Sequence, residues 1–136
     1  THGAQGNRRM SAVLVPLAEG QVYLNAGDAD AHDEIRFGTW AKRWLEQNEP
    51  IGGWRFRILK LSHHGSRAST AEAYLREFQP DLAVISSGLG NSFGHPTAET
   101  LSRLSKFRVA IHRTDRDGAF DLRAEVVRHR PQEHRP

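Results

Sequence analysis

The sequence contains no cysteine. Disulfides and thiolate metal sites of the zinc-finger kind are therefore excluded, and the redox compartment is left open. Lysine occurs only at Lys42, Lys60 and Lys106, so the basic groups are mostly arginine. Long apolar runs are missing too. The longest are stretches such as Ala12 to Val15 and Leu82 to Ile85, far short of the roughly 20 residues that a membrane helix needs. The opening residues show no basic n-region, apolar h-region and cleavage site of a secretory signal. No nucleophile elbow, P-loop or Rossmann fingerprint is expected, which sets aside a Ser–His–Asp hydrolase and a nucleotide-binding domain. Aromatic residues are 8% of the chain and fall mainly on helix faces, so no base-stacking platform is expected.

What remains is an ordinary globular composition, 38% hydrophobic and 26% charged. With 136 residues there is room for one domain or part of one. The formal charge of +3 suits nucleic acid, and equally suits a surface rich in arginine for compositional reasons. Eight histidines are more notable, because imidazole serves both metals and proton transfer.

Periodicity predicts alternating strands and helices. Ser11 to Leu17 and Gln21 to Asn25 form a hairpin about Glu19-Gly20. Phe37, Trp40, Ala41, Trp44 and Leu45 share a helical face that ends before Pro50-Ile51-Gly52-Gly53. Phe56 to Leu61 is a strand. Ser69 opens a second helix, with Glu72 completing a capping box and Pro80 stopping it. Leu82 to Ser87 lacks polar alternation, as in a strand covered on both faces. Ala98, Leu101 and Leu104 mark a third helix, and Val109 to His112 a further strand. Asp115 to Gly118 turns that strand into a hairpin returning through Phe120 to Arg123. The architecture expected is α/β, with helices layered on a sheet. Residues 1–124 form the domain, and Glu125 to Pro136 a basic, frayed tail.

Three of these strands end in polar loops, and ligand sites in α/β folds form where strand ends converge. Asp28 follows Gly27 after a strand, where a carboxylate can ligate a metal or help cap the next helix. Asp30, Asp33 and Glu34 suit the helix dipole. In His63-His64-Gly65-Ser66 one imidazole can face a site while the other packs behind it. Gly65 permits close approach of a ligand, Ser66 offers a hydrogen bond to phosphate and Arg67 supplies charge. In Asn91-Ser92-Phe93-Gly94-His95-Pro96, Pro96 fits the first helical position and places His95 near a helix cap, where backbone N–H groups hold anions. His2, His32, His112, His129 and His134 lack comparable settings.

These pieces in this order resemble the ComEC competence family. The similarity is carried by Tyr23-Leu24-Asn25-Ala26-Gly27-Asp28, by Ile58 to Ser66 with Ser69-Thr70, by Ala83 to Gly88 with Asn91, and by Gly94-His95-Pro96. It extends over roughly residues 7–123 and matches the C-terminal half of that family's metallo-β-lactamase-like domain. The resemblance implies an αββα fold, one or two divalent ions (zinc or manganese), and a nuclease that degrades one strand of incoming DNA while a membrane channel admits the other. It implies Asp28, His64 and His95 as metal ligands, with His63, His64 and Ser66 in catalysis and Ser66, Arg67 and Asn91 on substrate. It places the domain at the outer face of the cytoplasmic membrane of a bacterium. The fold's H-x-H-x-D-H motif is absent from this sequence. The chain thus corresponds to half of the domain, for which an uncovered sheet face, self-association and little turnover are expected. Two other readings stand beside the nuclease: a hydrolase of small esters or phosphoesters in the same fold, and a non-catalytic module that binds DNA or a protein partner.

Overall fold

The computed structural model describes residues 10–129. Strand β1 (Val13–Pro16) runs antiparallel to β2 (Gln21–Asn25), with Val13 opposite Asn25 and Pro16 opposite Val22. Pro16 is tolerated because β1 is an edge strand. From β2 onward the sheet is parallel: β3 (Phe56–Lys60), β4 (Leu82–Ile85) and β5 (Ala110–Arg113) follow in spatial order. Each parallel pair is joined through a helix, as parallel pairing requires. These helices are α1 (Ala31–Gln47), α2 (Glu72–Phe78) and α3 (Ala98–Lys106).

Side-chain alternation divides the sheet into two faces. Val22, Leu24, Leu59, Leu61, Ala83 and Ile85 point into the main core with Ala41 and Leu45 of α1, Tyr74, Leu75 and Phe78 of α2 and Leu104 of α3. Gly38 sets how closely α2 packs on α1. A Cβ at this position would lie 2.9 Å from the Tyr74 ring, so the missing side chain is what admits the ring.

The opposite face holds Ile58, Leu82 and Val84, all buried, with Phe120 and Leu122 packed on them. The return strand expected at 120–123 is not formed. After β5 the chain makes a single turn, α4 (Thr114–Asp117), then α5 (Leu122–Arg128). Asp121 starts α5 by accepting from Arg123 N and Ala124 N. The helix crosses the boundary drawn at Glu125. Gln21 Nε2 donates to the Val126 carbonyl at 3.0 Å, and His129 stacks on Phe56 at 3.7 Å between centroids. The described part of the expected tail is thus packed on the sheet, and the face expected to be bare is covered there by the chain's own C-terminal segment. The rest of that tail, with His134, and the opening residues with His2 lie outside the described residues. Among the described residues no helix is long and apolar enough to cross a membrane.

The second helix also starts differently. Ala71, not Ser69, stands at its N-cap, and no side chain of the capping-box kind closes it. Instead the Glu34 carboxylate, fully buried, accepts from Thr70 N at 2.8 Å and from Ala71 N at 3.1 Å. A glutamate from the first turn of α1 therefore satisfies backbone donors ahead of α2. Position in sequence suggested only a dipole partner.

Candidate functional site

Because β2, β3 and β4 are parallel, their C-terminal ends lie at one edge of the sheet. The loops carrying Asp28, His63-His64 and His95 leave from that edge. Backbone hydrogen bonds tie them together. His63 N reaches the Gly27 carbonyl at 3.4 Å, and Thr97 N reaches the Gly65 carbonyl at 3.0 Å.

The segment after β3 is a tight turn over Ser62–Gly65 in which His63, His64 and Gly65 all have left-handed φ, at 46°, 54° and 81°. Left-handed backbone is unfavourable for a residue with a side chain and persists only where the surroundings over-determine it. They do so here. Ser69 Oγ donates to the Ser62 and Ser66 carbonyls, and Thr100 Oγ1 donates to the Ser66 carbonyl. Arg103 of α3 spans the same loop, with Nε on the Thr70 carbonyl and Nη2 on the carbonyls of Arg67 and Ser69. The turn presents both histidine side chains to solvent while Gly65 is buried beneath them.

His64 Nδ1 lies 2.6 Å from the Ser86 carbonyl. A carbonyl only accepts, so Nδ1 carries the proton. In the neutral ring Nε2 is then left with its lone pair. This is the tautomer that a metal-binding or proton-accepting histidine needs, fixed by the hydrogen bond behind it.

His64 and His95 line one open cleft of about 390 Å³, together with Ser86, Asn91 and Phe93. The loop that carries His95 is closed by Asn91. Its Nδ2 donates to the Gly88 and His95 carbonyls, and its Oδ1 accepts from His95 N. Asn91 therefore spends its amide on the loop and positions His95, where a substrate contact was expected. At the loop's start, Ser87 N donates to Thr114 Oγ1, and that hydroxyl donates back to the Ser87 carbonyl. His95 is not at a helix cap. Thr97 caps α3, accepting from Thr100 N, and helical structure begins at Ala98. Pro96 is thus not the first helical position, and His95 stands two residues before the cap.

Gly90-Asn91-Ser92-Phe93-Gly94 does carry the G-x-S-x-G spacing, contrary to the expectation above. It is not an elbow. An elbow is a sharp strand-to-helix turn, whereas this segment lies in the loop between β4 and α3, with Ser92 exposed.

Asp28 is exposed on its loop and is not among the residues lining the His64–His95 cleft. Its charge acts on Lys60, the last residue of β3. Burial lowers the Lys60 pKa from its ordinary value, and Asp28 partly restores it. Among the described residues, the one set of three His, Asp or Glu side chains within 4.8 Å of one another is Asp30, His32 and Asp33. That set serves the start of α1: Asp30 accepts from Asp33 N, and Asp33 pairs with Arg36 at 3.6 Å. Ser66 is half-buried and Arg67 exposed. Sequence reasoning missed Glu34, Arg103 and Thr114, whose targets are backbone groups distant in sequence. It also missed Phe93, which lies in the motif that was singled out.

No protein-family model matches the chain, and no solved structure gives a significant match. Curated proteins do. The chain is 33% identical over 113 residues to "Competence protein ComA" of Neisseria gonorrhoeae, covering 82% of the chain and 15% of that protein. It is 32% identical over 108 residues to "Recombination protein 2" of Haemophilus influenzae, covering 79% and 12%. It is 38% identical over 66 residues to "ComE operon protein 3" of Bacillus subtilis, covering 48% and 8%. The chain thus spans 8 to 15% of the length of the curated relatives it matches. Over the matched residues the chain belongs to the ComEC competence family.

Proposed function

We propose that this chain is the C-terminal half of a metallo-β-lactamase-like domain that hydrolyses DNA during competence. The observation that carries the reading is the pairing of His64 and His95 in one cleft, with the His64 tautomer leaving the Nε2 lone pair available to a metal or a proton. Two relatives are named as a competence protein and a recombination protein, which supports DNA as the substrate class.

The donor set fits a divalent ion such as zinc or manganese in part. Two imidazoles line the cleft, and a carboxylate, Asp28, stands on the adjoining loop. Imidazole and carboxylate suit either metal. The remaining ligands, the H-x-H-x-D-H set, are absent from this sequence and in this reading would come from outside it. When bound, such an ion polarises a phosphodiester and yields hydroxide near neutral pH.

The chain's own residues have separable tasks in this reading. His64 and His95 would hold the ion, with Asp28 offering its carboxylate from the adjoining loop. His63, exposed on the same turn, is the proton carrier. Arg67 and Ser66 face the phosphate backbone. Asn91 keeps His95 in place. The domain belongs to a membrane-associated protein, acting beside the channel that takes up the DNA.

The test uses the intact domain, with its preceding segment. Metal-dependent cleavage of linear single-stranded DNA is expected, with small chromogenic esters untouched. Activity is expected to fall at least a hundredfold in Asp28→Asn and in His95→Ala. Full activity in both variants, or in excess chelator, overturns the proposal. Cleavage of esters but not DNA replaces it with the small-substrate hydrolase.

A further inference from the structure

Phe93 is 79% exposed among the described residues. Its ring stacks on His95 at 5.8 Å between centroids and an interplanar angle of 28°, and both line the cleft. We infer that Phe93 is a stacking platform for a nucleobase of single-stranded DNA lying across the His64–His95 cleft. The inference rests on DNA being the ligand of this cleft and adds how the ligand is gripped.

The loop is tied down on both sides of the ring. Asn91 brackets His95, Asn91 N reaches the Gly88 carbonyl, and Gly94 N reaches the Asn91 carbonyl. Phe93 is thus held outward by a braced loop, and little order has to be bought on binding. Its cleft neighbours are polar: His64, Ser86, Asn91 and His95. A protein partner would call for a contiguous apolar patch. Leu89, 88% exposed on the same loop, does not line the cleft, where Phe93 is the one large apolar side chain; a ring so placed suits a planar ligand that brings its own hydrogen-bonding edges. Every base offers a π-face, so such a platform is indifferent to sequence. Exposed Arg67, on the adjoining loop, suits the phosphates on either side.

The experiment measures equilibrium binding of the full chain to a fluorescent oligo-dT and to an abasic oligonucleotide of equal length. EDTA is present, so metal plays no part. The wild type is expected to favour oligo-dT by about 5-fold or more. Phe93→Ala loses that preference, Phe93→Trp keeps it, and all three bind the abasic strand equally. The ring touches no core, so circular dichroism should show all three folded alike. The inference is overturned if the wild type does not distinguish the two strands, if neither binds, or if Phe93→Ala retains the preference. Cleavage by the intact domain is read separately. A platform without cleavage sinks the nuclease alone, and cleavage without base preference sinks the platform alone.

Discussion

A Cβ placed on Gly65 would lie 2.8 Å from the Pro96 Cβ and 3.2 Å from the Pro96 Cα. The two histidine loops therefore meet backbone to ring, and the Thr97 N to Gly65 carbonyl bond closes the contact. Gly65 also has φ of 81°. Gly65→Ala meets both obstacles, left-handed backbone and overpacking, which together cost about 2–4 kcal/mol. Urea denaturation of the variant should show that loss. A change below about 0.5 kcal/mol, the range of ordinary surface substitutions, would mean that the loops do not touch as described.

Glu34 carries a second prediction. Burial pushes its carboxyl above the usual range, opposed by hydrogen bonds from Thr70 N and Ala71 N and by the Arg103 charge. The native state thus holds this proton to higher pH than the unfolded chain does. Stability contributed by the protonated form is full below the ordinary carboxylate range. It is lost as pH rises through the raised value. Glu34→Gln removes this pH-dependent term and keeps one acceptor for the two donors. Glu34→Ala leaves both N–H groups unpaired, at about 2–4 kcal/mol. Melting curves between about pH 4 and pH 7 should show a difference between wild type and Glu34→Gln that changes steadily with pH. A constant difference would contradict the assignment.

How much of this was legible beforehand follows from what each residue answers to. The β1–β2 hairpin and the unbroken burial of β4 are set by local periodicity, and the sequence shows both; on the expected α1 face Ala41 and Leu45 are buried, but Trp40 is 43% exposed, and the buried stripe runs through Glu34 and Gly38 instead. Convergence of the loops followed from parallel strands. The final hairpin failed because Phe120 and Leu122, spaced as in a strand, are drawn onto Ile58 and Val84 across the sheet. The capping box at Ser69 failed because Ser69 Oγ is taken by the Ser62 and Ser66 carbonyls, and Glu34 reaches the donors first. Phe93 escaped notice because exposure depends on which loop bonds hold its neighbours, and no pattern along the chain encodes that.

Arg103 tests whether the turn's strain is held from outside. Its guanidinium bonds the carbonyls of Arg67, Ser69 and Thr70 from one rigid fork. A lysine keeps the charge and cannot span three acceptors. Arg103→Lys should therefore cost about 1–2 kcal/mol and Arg103→Met about 2–3 kcal/mol. Amide hydrogen exchange should speed up at Ser66, Ser69 and Thr70 more than in β3. Uniform acceleration would assign Arg103 to general stability alone. Equal stability of wild type and Arg103→Lys would show that charge, without the fork, suffices.

The tautomer of His64 gives a test of the cleft that needs no turnover. Nitrogen NMR should find its proton on Nδ1, because the Ser86 carbonyl at 2.6 Å accepts it. His112 provides the internal contrast. Its Nε2 faces the Gly118 carbonyl at 3.0 Å, so its proton belongs on Nε2. Zinc added to the chain should perturb His64 Nε2 and a nitrogen of His95 together, and leave the His112 ring unmoved. Binding should be weak, since affinity depends on a full ligand set in fixed geometry. Asp28→Asn should weaken it further if the adjoining loop contributes its carboxylate. Should zinc instead shift His32 first, the ion would be seated at Asp30, His32 and Asp33 at the start of α1, and the cleft would lose its claim to a metal.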